Sequence, residues 1–177
     1  PVEGNLDAAV WTSIDGAIWT RAPHHEASLG GPGYQRMNGI AAGGPGLVAV
    51  GYDQLSETGR IDAVAVVWTS TDGVEWIRHQ VDESEGIPGF RGMGGVVSFG
   101  AELVAVGSDD TGGDSEAAVW TSQDGARWTR LTDDEAVFGG PGSQAMGGVV
   151  SAGSFLIAIG WDDSGGDHEA AVWLGEP

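Results

Sequence analysis

The chain has 177 residues, with 26 Asp and Glu against 7 arginines, no lysine and a formal net charge of −19. Such a charge repels nucleic acid and anionic membrane, whose phosphates are held by Lys and Arg, and suits divalent cations or a cationic partner. No cysteine is present, which leaves neither a disulfide framework nor thiolate chemistry, and no stretch approaches the roughly 18 continuous apolar residues of a membrane helix.

Taken from the N-terminus, the first organised segment is Ala9-Val10-Trp11-Thr12-Ser13-Ile14-Asp15-Gly16, followed by Trp19-Thr20-Arg21. Asp-Gly between two apolar runs predicts a tight hairpin, because glycine accepts positive φ and the Asp side chain caps the turn. Met37-Asn38-Gly39-Ile40 then opens an apolar stretch, and Leu47-Val48-Ala49-Val50-Gly51 is a continuous apolar run closed by glycine. The opening segment returns as Val66-Val67-Trp68-Thr69-Ser70-Thr71-Asp72-Gly73 with Trp76-Ile77-Arg78. The whole series then repeats: Met93-Gly94-Gly95-Val96, Leu103 to Gly107, Ala118-Val119-Trp120-Thr121-Ser122-Gln123-Asp124-Gly125, and Trp128-Thr129-Arg130. A last, shorter copy has Met146-Gly147-Gly148-Val149, Leu156 to Gly160 and Ala171-Val172-Trp173-Leu174.

The lead tryptophans at 11, 68, 120 and 173 set a period of 52 to 57 residues. Repeats this long are stacked supersecondary units that cannot bury their own apolar faces alone. Each period holds four strand-length runs and no amphipathic helical window, and continuous apolar character suits strands covered on both faces. The fold class expected is all-β, a β-propeller of four-stranded antiparallel blades. The chain divides into a partial blade over 1–21 (strands 3 and 4), blades over 36–79 and 93–130, and a partial blade over 145–177 (strands 1 to 3). That makes about three and a fraction blades in one repeat domain. The tryptophans are expected between blades, and Met37, Met93 and Met146 are expected in the core.

The Ser-x-Asp-Gly-x-x-Trp segments resemble the Asp boxes of the BNR, or sialidase-like, β-propeller family. That family's pattern is Ser/Thr-x-Asp-x-Gly-x-x-Trp, so each copy here is one residue shorter between Asp and Gly. The resemblance implies a structural role, on the hairpin joining strands 3 and 4, for Ser13, Asp15, Gly16 and Trp19. It implies the same for Ser70, Asp72, Gly73 and Trp76, and for Ser122, Asp124, Gly125 and Trp128. A sialidase site, as the resemblance implies it, needs three arginines, a tyrosine nucleophile with a glutamate, and an aspartate acid/base. The chain has two tyrosines, Tyr34 and Tyr52, and Arg21, Arg78 and Arg130 occupy one repeated strand end. The family's Phe/Tyr-Arg-Ile-Pro signature is absent; Ile87-Pro88-Gly89-Phe90-Arg91 has the letters in another order. No catalytic residue is assigned.

Up-and-down topology sorts the acids. The loops between strands 2 and 3, with the N-terminal lead-in, hold 13, and the connections from strand 4 to the next strand 1 hold 7, which places 20 of 26 at one end. Asp109, Asp110 and Asp114, with their near copies Asp162, Asp163 and Asp167, surround glycine turns and are candidate oxygen ligands for calcium. The alternative is a solvated turn of a highly acidic protein. His24-His25-Glu26 has crowded ligand types but no repeat partner, and reads as an exposed loop.

A disc needs about four blades or more to close, so the expected partners are copies of the chain itself, a homodimer being favoured, or the remainder of a longer propeller. The expected function is a non-catalytic interaction or scaffold module, secreted or at the cell surface, whose acidic end takes cations or a cationic partner; a glycan or protein ligand is a further expected partner. The alternatives are a fragment or subunit of a sialidase-like glycoside hydrolase, and a purely structural, self-assembling repeat.

Overall fold

The structure, a computed structural model, describes residues 5–54, 62–81, 88–111, 113–131 and 137–175. Thirteen strands among them form four antiparallel sheets in chain order. The first sheet pairs β1 (Trp11–Thr12) with β2 (Thr20–Arg21). The second holds β3 (Tyr34–Gly43), β4 (Gly46–Gln54), β5 (Ala63–Ser70) and β6 (Ile77–Gln80). The third holds β7 (Arg91–Phe99), β8 (Glu102–Asp109), β9 (Glu116–Ser122) and β10 (Thr129–Arg130). The fourth holds β11 (Gln144–Ala152), β12 (Phe155–Asp162) and β13 (Glu169–Gly175). Consecutive strands are neighbours in every sheet, which is the up-and-down order of propeller blades. One helical turn, α1 (Glu26–Leu29), precedes β3.

The strands β3, β7 and β11 lie innermost and pack side by side. Each carries a bulge after its methionine, with register shifts between Met37 and Gly39, Met93 and Gly95, and Met146 and Gly148. Glycine is required there by approach: a Cβ on Gly39 would lie 3.0 Å from the Gly95 Cα, and one on Gly95 would lie 2.9 Å from the Gly148 Cα. Asn38, at the first bulge, donates through Nδ2 to the Met93 carbonyl at 2.9 Å and ties the second sheet to the third.

Three apolar clusters fill the gaps between sheets. Trp68 and Trp76 of the second sheet pack with Ala8 and Leu29 toward the first. Trp120 and Trp128 of the third sheet pack on Val48, Val50 and Val67 of the second. Met146 and Ala158 of the fourth meet Val106 of the third, with Trp173 alongside. Each sheet thus turns a tryptophan face toward its predecessor and a valine face toward its successor. Met93 and Met146 are buried, and Met37 packs at the edge of the cluster around Trp68.

Candidate functional site

The two ends of the sheets carry different polar chemistry. At one end, the hairpin after β1, β5 and β9 closes with the same knot three times. Ser70 Oγ donates to Asp72 Oδ1 and accepts the Gly73 N–H at 2.8 Å. Asp72 Oδ1 accepts the N–H groups of Val74 and Glu75 at 2.8 and 2.9 Å, and Trp76 Nε1 donates to the Gly73 carbonyl. Ser13, Asp15, Gly16 and Trp19 make the same set of bonds, as do Ser122, Asp124, Gly125 and Trp128. The glycines adopt φ of +73°, +76° and +74°, a region an L side chain resists. Two backbone N–H donors per carboxylate hold Asp15, Asp72 and Asp124 below the ordinary value of 3.8.

At the opposite end, an aspartate on the second strand gathers polar partners from the first strand and, in the second and third sheets, from the fourth. Gln35 faces Asp53 across the β3–β4 pair and donates to it at 2.8 Å. Arg78, the second residue of β6, donates to the other Asp53 oxygen and to the Gly30 carbonyl. In the third sheet the set is Arg91, Asp109 and Arg130; Arg130 lies 3.6 Å from Asp109, and Arg91 is its register partner. In the fourth, Gln144 donates to Asp162 at 3.3 Å. Sequence spacing puts Asp53, Asp109 and Asp162 in the loops after the second strands; in the structure Asp109 and Asp162 end theirs and Asp53 stands one residue before the end of β4, as register partners of Arg91, Gln144 and Gln35.

Of the calcium candidates, Asp109 also accepts from the backbone and hydroxyl of Thr111. Asp162 accepts the Ser164 N–H, which with Gln144 holds its carboxyl below the ordinary range. Asp110 accepts the Phe90 N–H and Asp163 the Ser143 N–H, so each fastens the lead-in of its own first strand. Asp114 and Asp167 are exposed. Among the described residues these six do not gather three ligand atoms at one point. The one group that does is Asp7, His24 and Glu26, whose ligand atoms lie within 4.8 Å of one another. His24 Nε2 is 3.6 Å from Asp7 and 3.3 Å from Glu26, distances that serve an ion pair as well as a small cation. Sequence spacing hid this trio, because Asp7 reaches it from before β1. Glu3, Glu57, Asp82, Glu83, Glu85, Asp133, Asp134 and Glu135 lie outside the described residues.

A cavity of about 300 Å³ lies between the third and fourth sheets, lined by Val104, Val106, Phe138, Met146, Leu156 and Trp173 among others, almost wholly apolar. Its lining is the repeat equivalent of the residues around Trp128 between the second and third sheets. The innermost strands β3, β7 and β11 bear no Asp or Glu. Among the described residues no helix is long and apolar enough to cross a membrane.

No family model and no curated protein matches this chain. Solved structures do. A Bombyx mori GH32 beta-fructofuranosidase, in a mutant form in complex with sucrose, superposes with a TM-score of 0.54 at 13% identity, covering 95% of this chain and 39% of that one. A second structure of that Bombyx mori enzyme gives 0.53 at 14% identity, with the same coverage of each chain. The chain therefore spans about two fifths of the length of these structures. At such identity the likeness is one of fold, and the class it defines with the sheet order is the β-propeller.

Proposed function

We propose that this chain is a non-catalytic propeller module whose acidic end binds a cationic partner. One observation carries the reading. The three innermost strands, which line the axis where a propeller holds a small ligand, carry no carboxylate, while Asp114, Glu116, Asp167 and Glu169 stand beside the glycine turns at the acidic end. A field of one sign attracts a cationic surface and accelerates its association. The test is calorimetric titration with an oligo-arginine peptide at several salt concentrations. Neutralising Asp114, Glu116, Asp167 and Glu169 to their amides should weaken binding more than neutralising Asp15, Glu75, Glu102 and Asp124 at the hairpin end. Equal losses from the two sets would refute a sided interface.

A second reading has one specific support, the superposition on a beta-fructofuranosidase. Under it the chain is part of a glycoside hydrolase whose acid/base pair lies partly beyond these residues. Turnover of a fluorogenic fructoside or sialoside that persists through repurification would favour this reading and displace the first. Secretion or surface display remains part of the first reading, tested by fractionating the source cells.

A further inference from the structure

We propose that the 177-residue chain associates head to tail, the valine-type face of the fourth sheet receiving the tryptophan face of the first sheet of a second copy. The inference rests on the blade packing and not on the ligand proposed above, so failure of the arginine titration leaves it standing.

The inter-sheet contact has a fixed composition. In the second sheet, register aligns Ala41, Val48 and Thr69 in one row and Gly39, Val50 and Val67 in the next. Val48, Val50 and Val67 are fully buried, under Trp120 and Trp128 of the third sheet. The fourth sheet repeats the rows as Val150, Ile157 and Leu174, then Gly148, Ile159 and Val172. Here Ile159, Val172 and Leu174 are 58%, 64% and 67% exposed. The rows are also bulkier than their counterparts: Ile157 and Ile159 stand where the second sheet has Val48 and Val50, Leu174 stands for Thr69, and Val172 matches Val67. A solvent-facing sheet would run the other way, toward polar side chains.

The complement is on the same chain. Trp11 and Trp19 stand where Trp68 and Trp76, or Trp120 and Trp128, stand in the next two sheets, yet they are 53% and 59% exposed. The turns match as well. A Cβ on Gly125 would lie 2.6 Å from Val48 Cγ2, and one on Gly44 would lie 2.8 Å from the Asp124 carbonyl oxygen, so these turns interlock across the second and third sheets. Their counterparts, Gly16 and Gly153, have nothing within 4 Å. Docking a second copy in the same relation sets Gly16 over Ile157 and Gly153 against the Asp15 carbonyl. The two faces differ, so the contact is heterologous, and its rotation decides whether copies close a ring or extend.

The experiment uses light scattering on the full chain and on Trp19→Glu and Val172→Glu, with circular dichroism as the check on folding. Wild type should show a mass rising with concentration to at least twice one chain. Each variant alone should keep the mass of one chain. An equimolar mixture should restore a two-chain complex, because each variant retains the face the other lacks. Leu174→Ser replaces Val172→Glu should the latter unfold. A wild-type mass of one chain at every concentration, self-association by Trp19→Glu alone, or a mixture that stays as single chains would each overturn the proposal.

Discussion

Arg78 and Asp53 form an ion pair that spans the second sheet from its outermost strand to its second strand, with Asp53 almost wholly removed from solvent. Gln35 and the Gly30 carbonyl take up remaining hydrogen-bonding capacity on either side. Breaking one member leaves a buried partner without compensation, which costs about 3–5 kcal/mol. Arg78→Ala should therefore lower the urea unfolding free energy by that order. The double variant Arg78→Met with Asp53→Leu, which removes both charges, should lose less than Arg78→Ala alone.

The hairpin knots make stability depend on acidity. Asp15, Asp72 and Asp124 are held below 3.8 in the folded chain by backbone donors and return toward that value on unfolding. The unfolded state then binds more protons as pH falls, so their contribution is complete above the unfolded value and is lost as pH drops through the lower folded ones. The thermal midpoint should fall steadily from about pH 5 to about pH 2. Changing all three aspartates to asparagine, which retains an acceptor oxygen, should flatten that slope while lowering the midpoint near neutrality.

Gly107 lies within β8 opposite the bulge of β7, and a Cβ there would sit 2.0 Å from the Gly92 carbonyl oxygen. The obstacle is backbone and cannot swing aside, so Gly107→Ala should destabilise by about 3 kcal/mol, at the upper end of overpacking costs. Gly165→Ala, at a turn where nothing lies within 4 Å, should change stability by less than about 0.5 kcal/mol. Paired chemical denaturation curves decide the matter.

Trp76 and Trp19 make the same hydrogen bond to the glycine of their own turn, but Trp76 is buried between sheets and Trp19 is not. Trp76→Ala should cost about 3–5 kcal/mol through lost packing. Trp19→Ala, measured at a dilution where the chain is single, should stay within about 0.5 kcal/mol of wild type. A large effect at Trp19 under dilution would mean the knot itself, and not the neighbouring sheet, gives these tryptophans their value.

The cavity beside Trp173 should take a flat apolar ring, since its repeat counterpart holds an indole. Indole at millimolar concentration should raise the thermal midpoint, as any ligand of the folded state alone does. Ala158→Met, which extends a side chain from the lining into the space, should abolish the shift.

Much of this was readable in the residues, and the division follows how local each interaction is. Asp72, Gly73 and Trp76 close their bonds within seven residues, so the spacing Ser-x-Asp-Gly-x-x-Trp already contains the turn. Glycine after each apolar run, at 51, 107 and 160, reads in the sequence as a strand end, yet each strand runs two or three residues further; the glycine is there because a carbonyl arrives from the neighbouring bulge. The tie from Gln35 through Asp53 to Arg78 was missed, because its members lie on three strands and position 35 alternates between Gln and Arg in the copies. A signal existed: aspartate stands two residues beyond each of those glycines, and arginine is the second residue of each fourth strand. The trio of Asp7, His24 and Glu26 left no such signal, since it occurs once and no repeat frames it.

The knots also bear on the order in which the chain folds. Their bonds join residues two or three apart, and the Ser13 copy is complete although its tryptophan is bare. Each hairpin can therefore set its strand pairing early, when closing the loop costs little entropy. Register between the third and fourth strands of a blade would then be fixed locally, leaving later folding to search only for which blade stands next to which. In a chain of near-identical repeats that is the dangerous choice, and the differing rows of Val48 and Thr69 against Ile157 and Leu174 give the collapsing chain a way to tell one blade from another.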